Sequence, residues 1–200
     1  DYAYLAFLFV SMLMGLVYQQ LFNSLSVYLR DSHGIHHQGY GFLMSTSAIT
    51  VIVLQFMTTR LIKKKPPVLM MALGVFFYMI GFGMFGFVTA FWLFAAAVVI
   101  ITIGEMVIMP TASALATNFA PEDMRGRYMA VFGLSWAIPA TVGPSAAGLI
   151  LDNYNPNLLW YVGAGICAIS VASFYGLHLW LGRRERFNSP EPEPEAVPAS

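Results

Sequence analysis

Ile101-Thr102-Ile103-Gly104-Glu105-Met106-Val107-Ile108-Met109-Pro110 places one carboxylic acid inside an otherwise apolar run. An ionised side chain at the centre of a hydrocarbon slab costs roughly 3 kcal/mol on insertion scales and more in simulations. Glu105 is therefore expected to face protein or a watery cavity, away from lipid. Around it the chain is 58% hydrophobic and only 10% charged, where a water-soluble domain carries about 25% charged residues. A membrane protein is the class that tolerates this balance. Formal net charge is zero, so no basic surface points to nucleic acid.

Working outward from Glu105, six apolar stretches reach the ~20 residues that a helix needs to cross ~30 Å of hydrocarbon. Their run ends place spans at about 4–29, 41–61, 67–88, 91–119, 127–151 and 158–181. Helices satisfy every backbone polar group within one segment, whereas the alternating stretches of a barrel are not seen. The fold class is therefore an all-α membrane bundle over residues 1–186. The tail 187–200, with Pro190-Glu191-Pro192-Glu193-Pro194-Glu195, has too little apolar surface to offset its ordering entropy and is expected to be disordered. The uncharged run from Tyr2 to Leu29 is too long for a signal-peptide core. It reads as a span, and the start at Asp1 as a continuation of a longer chain.

All but Arg30 of the 10 lysines and arginines fall on one side of these spans: Arg60, Lys63, Lys64 and Lys65 after the second, Arg125 and Arg127 before the fifth, and Arg183, Arg184 and Arg186 after the sixth. The positive-inside rule puts that side, and both chain ends, in the cytoplasm, which makes this a multi-pass protein of the cytoplasmic membrane. Cys167 is alone, so an internal disulfide is excluded and a small packed apolar role is expected. His33, His36 and His37 crowd an outer loop without a carboxylate set, and neither a metal nor a cofactor is expected. No His-Glu-x-x-His run, phosphate-cradling loop or nucleophile elbow supplies enzyme chemistry.

The order Gly104-Glu105, Pro110, Pro121-Glu122, Arg125-Gly126-Arg127 and Gly143-Pro144-x-x-x-Gly148 resembles the C-terminal half of a major facilitator superfamily transporter. The multidrug-efflux, drug/proton antiporter branch is the part of the superfamily it is most similar to. The resemblance implies two six-helix halves, each of two inverted three-helix repeats, rocking about a midplane site. It also implies a missing N-terminal half as partner, and a cavity lined by the first and fourth spans, flanked by the second and fifth, with the third and sixth toward lipid. The loop signature that the family carries after a second span, Gly-x-x-x-Asp-Arg-x-Gly-Arg-Arg, reads here Gln55, Thr59, Arg60, Ile62, Lys63, Lys64: the acid and both glycines are absent. Its basic residues then act as topology determinants or as remnants of a gate.

Within that frame Glu105 is the candidate for proton coupling or for pairing a cationic substrate; a structural hydrogen-bonded tie is the alternative. Gln19, Gln20 and Asn23 in the first span, with Ser135 and Trp136 in the fifth, are candidates for the cavity wall, with bonding between helices as the competing role. Pro110, Pro139 and Pro144 each delete a helical hydrogen bond and, with Gly143, mark where helices bend or flex. Ala164, Ala168, Ala172 and Gly176 predict a flat packing stripe on the sixth span, and Gly143 with Ala147 one on the fifth. The functional expectation is proton-coupled efflux of small lipophilic compounds, the partners being that substrate, protons and lipid. Symport or uniport of a polar metabolite, or a non-transporting scaffold or receptor, are the alternatives.

Overall fold

The computed structural model describes residues 2–181; the tail expected to be disordered, and Arg183, Arg184 and Arg186, lie outside the described residues. Among the described residues every regular element is helical. Six spans are long and apolar enough to cross a bilayer: Tyr2–Asn23, His37–Ile62, Pro67–Phe85, Phe91–Phe119, Glu122–Asn153 and Asn157–Leu181. The first is extended outward by a helical segment Leu25–His33 that ends on Gly34 in the left-handed conformation (φ 66°). Two boundaries differ from expectation for local reasons. A 3-10 turn, Glu122–Met124, makes Arg125-Gly126-Arg127 the first helical turn of the fifth span, and Gly83 and Met84 carbonyls close the third span at Phe85.

Neighbour relations give the topology. The first span packs on the fifth and sixth, the fourth packs on the second and third, and the third packs on the sixth. Exchanging spans one to three for four to six maps this set onto itself, which is the signature of two inverted three-helix repeats. The second and fifth spans are the least covered, with 6% and 22% of their most apolar windows buried, against about half for the first, third and fourth. Large apolar side chains such as Ile52, Phe56, Leu134 and Val142 stand exposed there.

Two aromatic clusters close the bundle at its ends. At the basic end the Tyr4 hydroxyl donates to the Tyr128 carbonyl at 2.5 Å, and Phe7 packs among Phe119, Phe132 and Phe174. At the other end the Tyr28 hydroxyl donates a shared hydrogen bond to the Phe85 carbonyl (2.9 Å) and Asn157 Oδ1 (2.8 Å), amid Phe94, Trp160 and His33. Burial there holds the His33 imidazole below its ordinary pKa.

Between these clusters the closest backbone approach is a crossing of the third and fourth spans on glycine. A Cβ on Gly104 would lie 2.6 Å from the Gly74 carbonyl oxygen, and one on Gly74 would lie 3.0 Å from the Gly104 carbonyl oxygen. One turn pair further out, Gly81 sits on Ile101 and the Ala97 carbonyl in the same way. Small residues drive association in lipid by letting backbones touch. The stripe expected on the sixth span is displaced: Ala168, Ala172 and Gly176 face outward, and the buried row is Gly163, Cys167, Ser170, Phe174 and Leu177. The buried row meets the first span, Gly163 at Val17 and Phe174 at Phe7. Gly143 and Ala147 are buried as expected, Gly143 against Gln20 and the Leu16 carbonyl.

A hydroxyl pair ties the second span to the fourth. Thr102 donates to the Val98 carbonyl (2.8 Å), which leaves Ser47 as donor in the 2.8 Å bond between Ser47 Oγ and Thr102 Oγ1. The other hydroxyls of that span, Ser45, Thr46 and Thr50, bond their own helix backbone. Interhelical hydrogen bonds in membranes average ~0.6 kcal/mol. Ser47→Ala is accordingly expected to cost about 0.5–1 kcal/mol in a reversible unfolding titration, and Ser45→Ala nothing measurable.

Candidate functional site: the Tyr18–Glu105 pair

Glu105 is half-buried on the fourth span, one residue past the Gly104 crossing, and its carboxylate turns toward the first span. Tyr18 Oη donates to Glu105 Oε1 at 2.6 Å, the length of a charge-assisted hydroxyl–carboxylate bond. The Tyr18 ring is held on three sides. It stacks on Tyr78 of the third span (5.6 Å, 7° between planes), meets Trp136 of the fifth edge-on (6.1 Å, 89°), and packs against Phe22. Tyr78 is buried and its hydroxyl has no hydrogen-bond partner among the described residues. Four spans thus converge on one acid in an aromatic setting. Among the described residues the one ion pair is the exposed Arg30–Asp31 (2.6 Å), where hydrogen bonding from Arg30 holds Asp31 below the usual carboxylate range, and no cation reaches Glu105.

The helix beside Tyr18 is loosened. Gln19 and Ser24 interrupt the regular helix, and the Gln19 carbonyl accepts from Phe22 N, Asn23 N and Asn23 Nδ2 at 3.0–3.2 Å. Gln20 is buried and committed: Nε2 donates to the Leu16 carbonyl (2.9 Å) and Oε1 accepts from Ser24 Oγ (2.6 Å), so its amide serves its own helix and faces Gly143 instead of a cavity. Asn23 is exposed and bound to its own turn, and Gln19 is half-buried. Ser135 is likewise buried and donates to the Phe132 carbonyl at 2.7 Å. Of the five polar cavity candidates, Trp136 is the one that reaches the Tyr18–Glu105 pair.

Pro110, Pro139 and Pro144 lie within helices that run on through them. Pro139 is buried against Gly15, where a Cβ would come within 3.2 Å of its Cγ, while Pro110 and Pro144 are half-buried. Arg60, Lys63, Lys64, Arg125, Gly126 and Arg127 are all exposed at one end of the bundle. Sequence reading missed Tyr18 and Tyr78. A tyrosine directly before Gln19-Gln20, in the middle of an uncharged run, was the available signal.

The Tyr18 hydroxyl, donating to Oε1, is the group that stabilises the carboxylate in its ionised form. A hydrogen bond to a charged group is worth ~1.5–3 kcal/mol. Tyr18→Phe is expected to slow any step that cycles Glu105 through its ionised form by about tenfold or more and to lower stability by ~1–3 kcal/mol; proton-flux rates in proteoliposomes and melting curves check this.

The sequence model of the Major Facilitator Superfamily matches residues 5–199, and the chain belongs to that family. It is a multi-pass membrane protein. It is 28% identical over 160 residues to the MFS-type transporter YttB of Bacillus subtilis (strain 168), covering 79% of this chain and 40% of that protein. Against a Na(+), Li(+), K(+)/H(+) antiporter of Planococcus maritimus it is 25% identical over 146 residues, 71% of this chain and 32% of the relative. The fold is similar to the crystal structure of a POT family transporter in complex with a thioalcohol-conjugated peptide, with a TM-score of 0.73 at 16% identity over 96% of this chain and 41% of that one. The chain spans about two fifths or less of the length of these relatives.

Proposed function

We propose that this chain is the C-terminal six-span half of a proton-coupled exporter of small lipophilic compounds, cationic ones above all, working by alternating access in the cytoplasmic membrane with both ends of the segment in the cytoplasm. The observation that carries the reading is the intramembrane carboxylate of Glu105, hydrogen-bonded by Tyr18 and free of any ion pair among the described residues. Such an acid can hold either a proton or a positively charged substrate, and exclusive occupancy is what exchange requires. Tyr18 and Trp136 beside it supply aromatic rings, whose faces attract an organic cation. The loosened turn at Gln19, next to Tyr18, gives the first span a place to flex as access alternates. The N-terminal half of the whole protein would supply the opposite wall, and the exposed second and fifth spans the surfaces that meet it.

A second reading, exchange of an inorganic monovalent cation for protons, draws on the name of the Planococcus relative. Both use Glu105 and differ in what replaces the proton. The full-length protein in proteoliposomes with an acidic lumen separates them: tetraphenylphosphonium is expected to release lumenal protons, and sodium or potassium at equal ionic strength is expected not to. Proton release by sodium alone would select the second reading, and release by neither would remove both.

A further inference from the structure

The Tyr78 hydroxyl is a polar group that the Tyr18–Glu105 pair leaves unused. Its side chain is 0% exposed and the hydroxyl makes no hydrogen bond among the described residues, although buried polar groups nearly always have a partner. The other buried side-chain polar atoms in that condition lie elsewhere. His33 Nε2 and Trp160 Nε1 belong to the cluster around Tyr28, and Ser11 sits about two turns before Tyr18 on the first span. Tyr78 is the one whose ring stacks on Tyr18, the donor to Glu105. A phenylalanine would fill the same space without an unmet hydroxyl.

The two tyrosines are held differently. Tyr78 is fixed: Gly74 and Gly81, about one turn to either side, are the third span's close contacts with the fourth, and a Cβ on Gly104 would lie 2.9 Å from Tyr78 Cδ1. Phe82 meets its ring edge-on (5.8 Å, 87°). Tyr18 is followed at once by the loosened turn at Gln19. Rings 7° from parallel can slide along their common plane without meeting edge-on, so a small shift of the first span brings the hydroxyls together while the stack persists.

Protonation of Glu105 supplies the reason for such a shift. While ionised, the acid can only accept, and Tyr18 donates to it. A protonated carboxyl has an O–H of its own, more acidic than a phenol, and donates to the Tyr18 oxygen. The bond then runs the other way, and the Tyr18 hydrogen needs a new acceptor. Few groups stand near enough to answer. The second and fifth spans carry no titratable residue over 41–59 and 129–151. The sixth brings Cys167 into electrostatic range of the Tyr78 hydroxyl, where Tyr18 and Glu105 also act.

We propose that Tyr78 is a positioning residue that accepts the Tyr18 hydroxyl when Glu105 is protonated, completing a row from Glu105 O–H to Tyr18 Oη–H to Tyr78 Oη and drawing the first span toward the third. This rests on the reading of Glu105 as the proton-carrying acid. The carboxylate gains one proton from water, one hydrogen bond reverses and one forms; no other bond changes. Tyr78 acts through Tyr18 and touches neither the exchanged proton nor the substrate.

Infrared titration of the full-length protein in proteoliposomes tests this through the carbonyl-stretch band of protonated Glu105, identified by its loss in Glu105→Gln. Tyr78→Phe removes the acceptor of the protonated state, so the midpoint of that band is expected to move toward acid by about half to one pH unit, the strength of one neutral hydrogen bond. In a Tyr18→Phe background the same substitution is expected to leave the midpoint in place. An unmoved midpoint in Tyr78→Phe alone, or an equal shift with and without the Tyr18 hydroxyl, would overturn the proposal. Tyr78→Phe keeps the ring and takes away an oxygen that bonds nothing, so at a pH above the midpoint its melting temperature is expected to hold or rise. A fall there would mean that the hydroxyl is already paired, which also overturns the idea. If no band responds to Glu105→Gln, the exchange reading and the relay fail together; a band that titrates but ignores Tyr78→Phe strikes the relay alone.

Discussion

Glu105→Gln in the full-length protein is expected to lower pH-gradient-driven export by at least a hundredfold while leaving the fold intact. The amide keeps the size of the carboxyl and still accepts the Tyr18 hydroxyl that now lies 2.6 Å from Oε1. Packing on Tyr78 and Trp136 is unchanged, because Tyr18 itself keeps its ring contacts. What disappears is the ability to take up and give back a proton, and with it the negative charge that a cation would pair with. A neutral side chain also removes the desolvation cost of a buried carboxylate, so thermal stability is expected to stay level or rise slightly. Downhill substrate flux without a pH gradient is expected to fall less than gradient-driven flux. Flux that responds to the gradient as in the unaltered protein would transfer the coupling role away from Glu105, and a loss of fold would make the acid a structural tie.

The six spans were legible because the bilayer writes length and hydropathy directly into sequence: the fourth, Phe91–Phe119, coincides with its apolar run. The position of Glu105 toward protein was legible for the same reason, since an acid facing lipid would carry a cost no neighbour relieves. Its partner was not. Tyr18 lies 87 residues away on another span, and nothing in local periodicity says which of two helix faces meets which neighbour. The same gap explains the amides. Gln20 looks like a cavity residue when polarity alone is read, yet Leu16 and Ser24 on its own helix satisfy it and Gly143 leaves room for it. The alanine stripe of the sixth span failed similarly: regular spacing marks a face that can pack, and the partner's shape selects which one does. The crossing that holds the core depends on Gly74 and Gly104, two glycines in different runs whose registry only the folded chain sets.

That crossing supports the second large prediction. Gly104→Val is expected to destabilise the bundle by about 3 kcal/mol or more, at the upper end of what overpacking costs, and to reduce the folded yield severely. Even the single carbon of alanine would lie 2.6 Å from the Gly74 carbonyl oxygen and 2.9 Å from Tyr78 Cδ1. Backbone oxygen cannot move aside as a flexible side chain can, so the third and fourth spans must part. Parting them carries Glu105, the next residue, away from Tyr18, and it withdraws Tyr78 from the ring it stacks on. A structural glycine and the acid of the proposed exchange therefore share one constraint, and on that proposal Gly104→Ala should lose transport out of proportion to its loss of stability. Gly133 and Gly148 on the fifth span serve as controls, because a Cβ there meets nothing within 4 Å; alanine at either is expected to be neutral or stabilising by up to ~1 kcal/mol through helix propensity. Since Gly74→Ala strikes the same contact from the other side, the double variant with Gly104→Ala is expected to cost less than the sum of the singles. Reversible unfolding in mixed micelles measures these variants, and additive costs for the pair, or a Gly104→Val protein as stable as Gly133→Ala, would show that the two helices do not meet on these glycines.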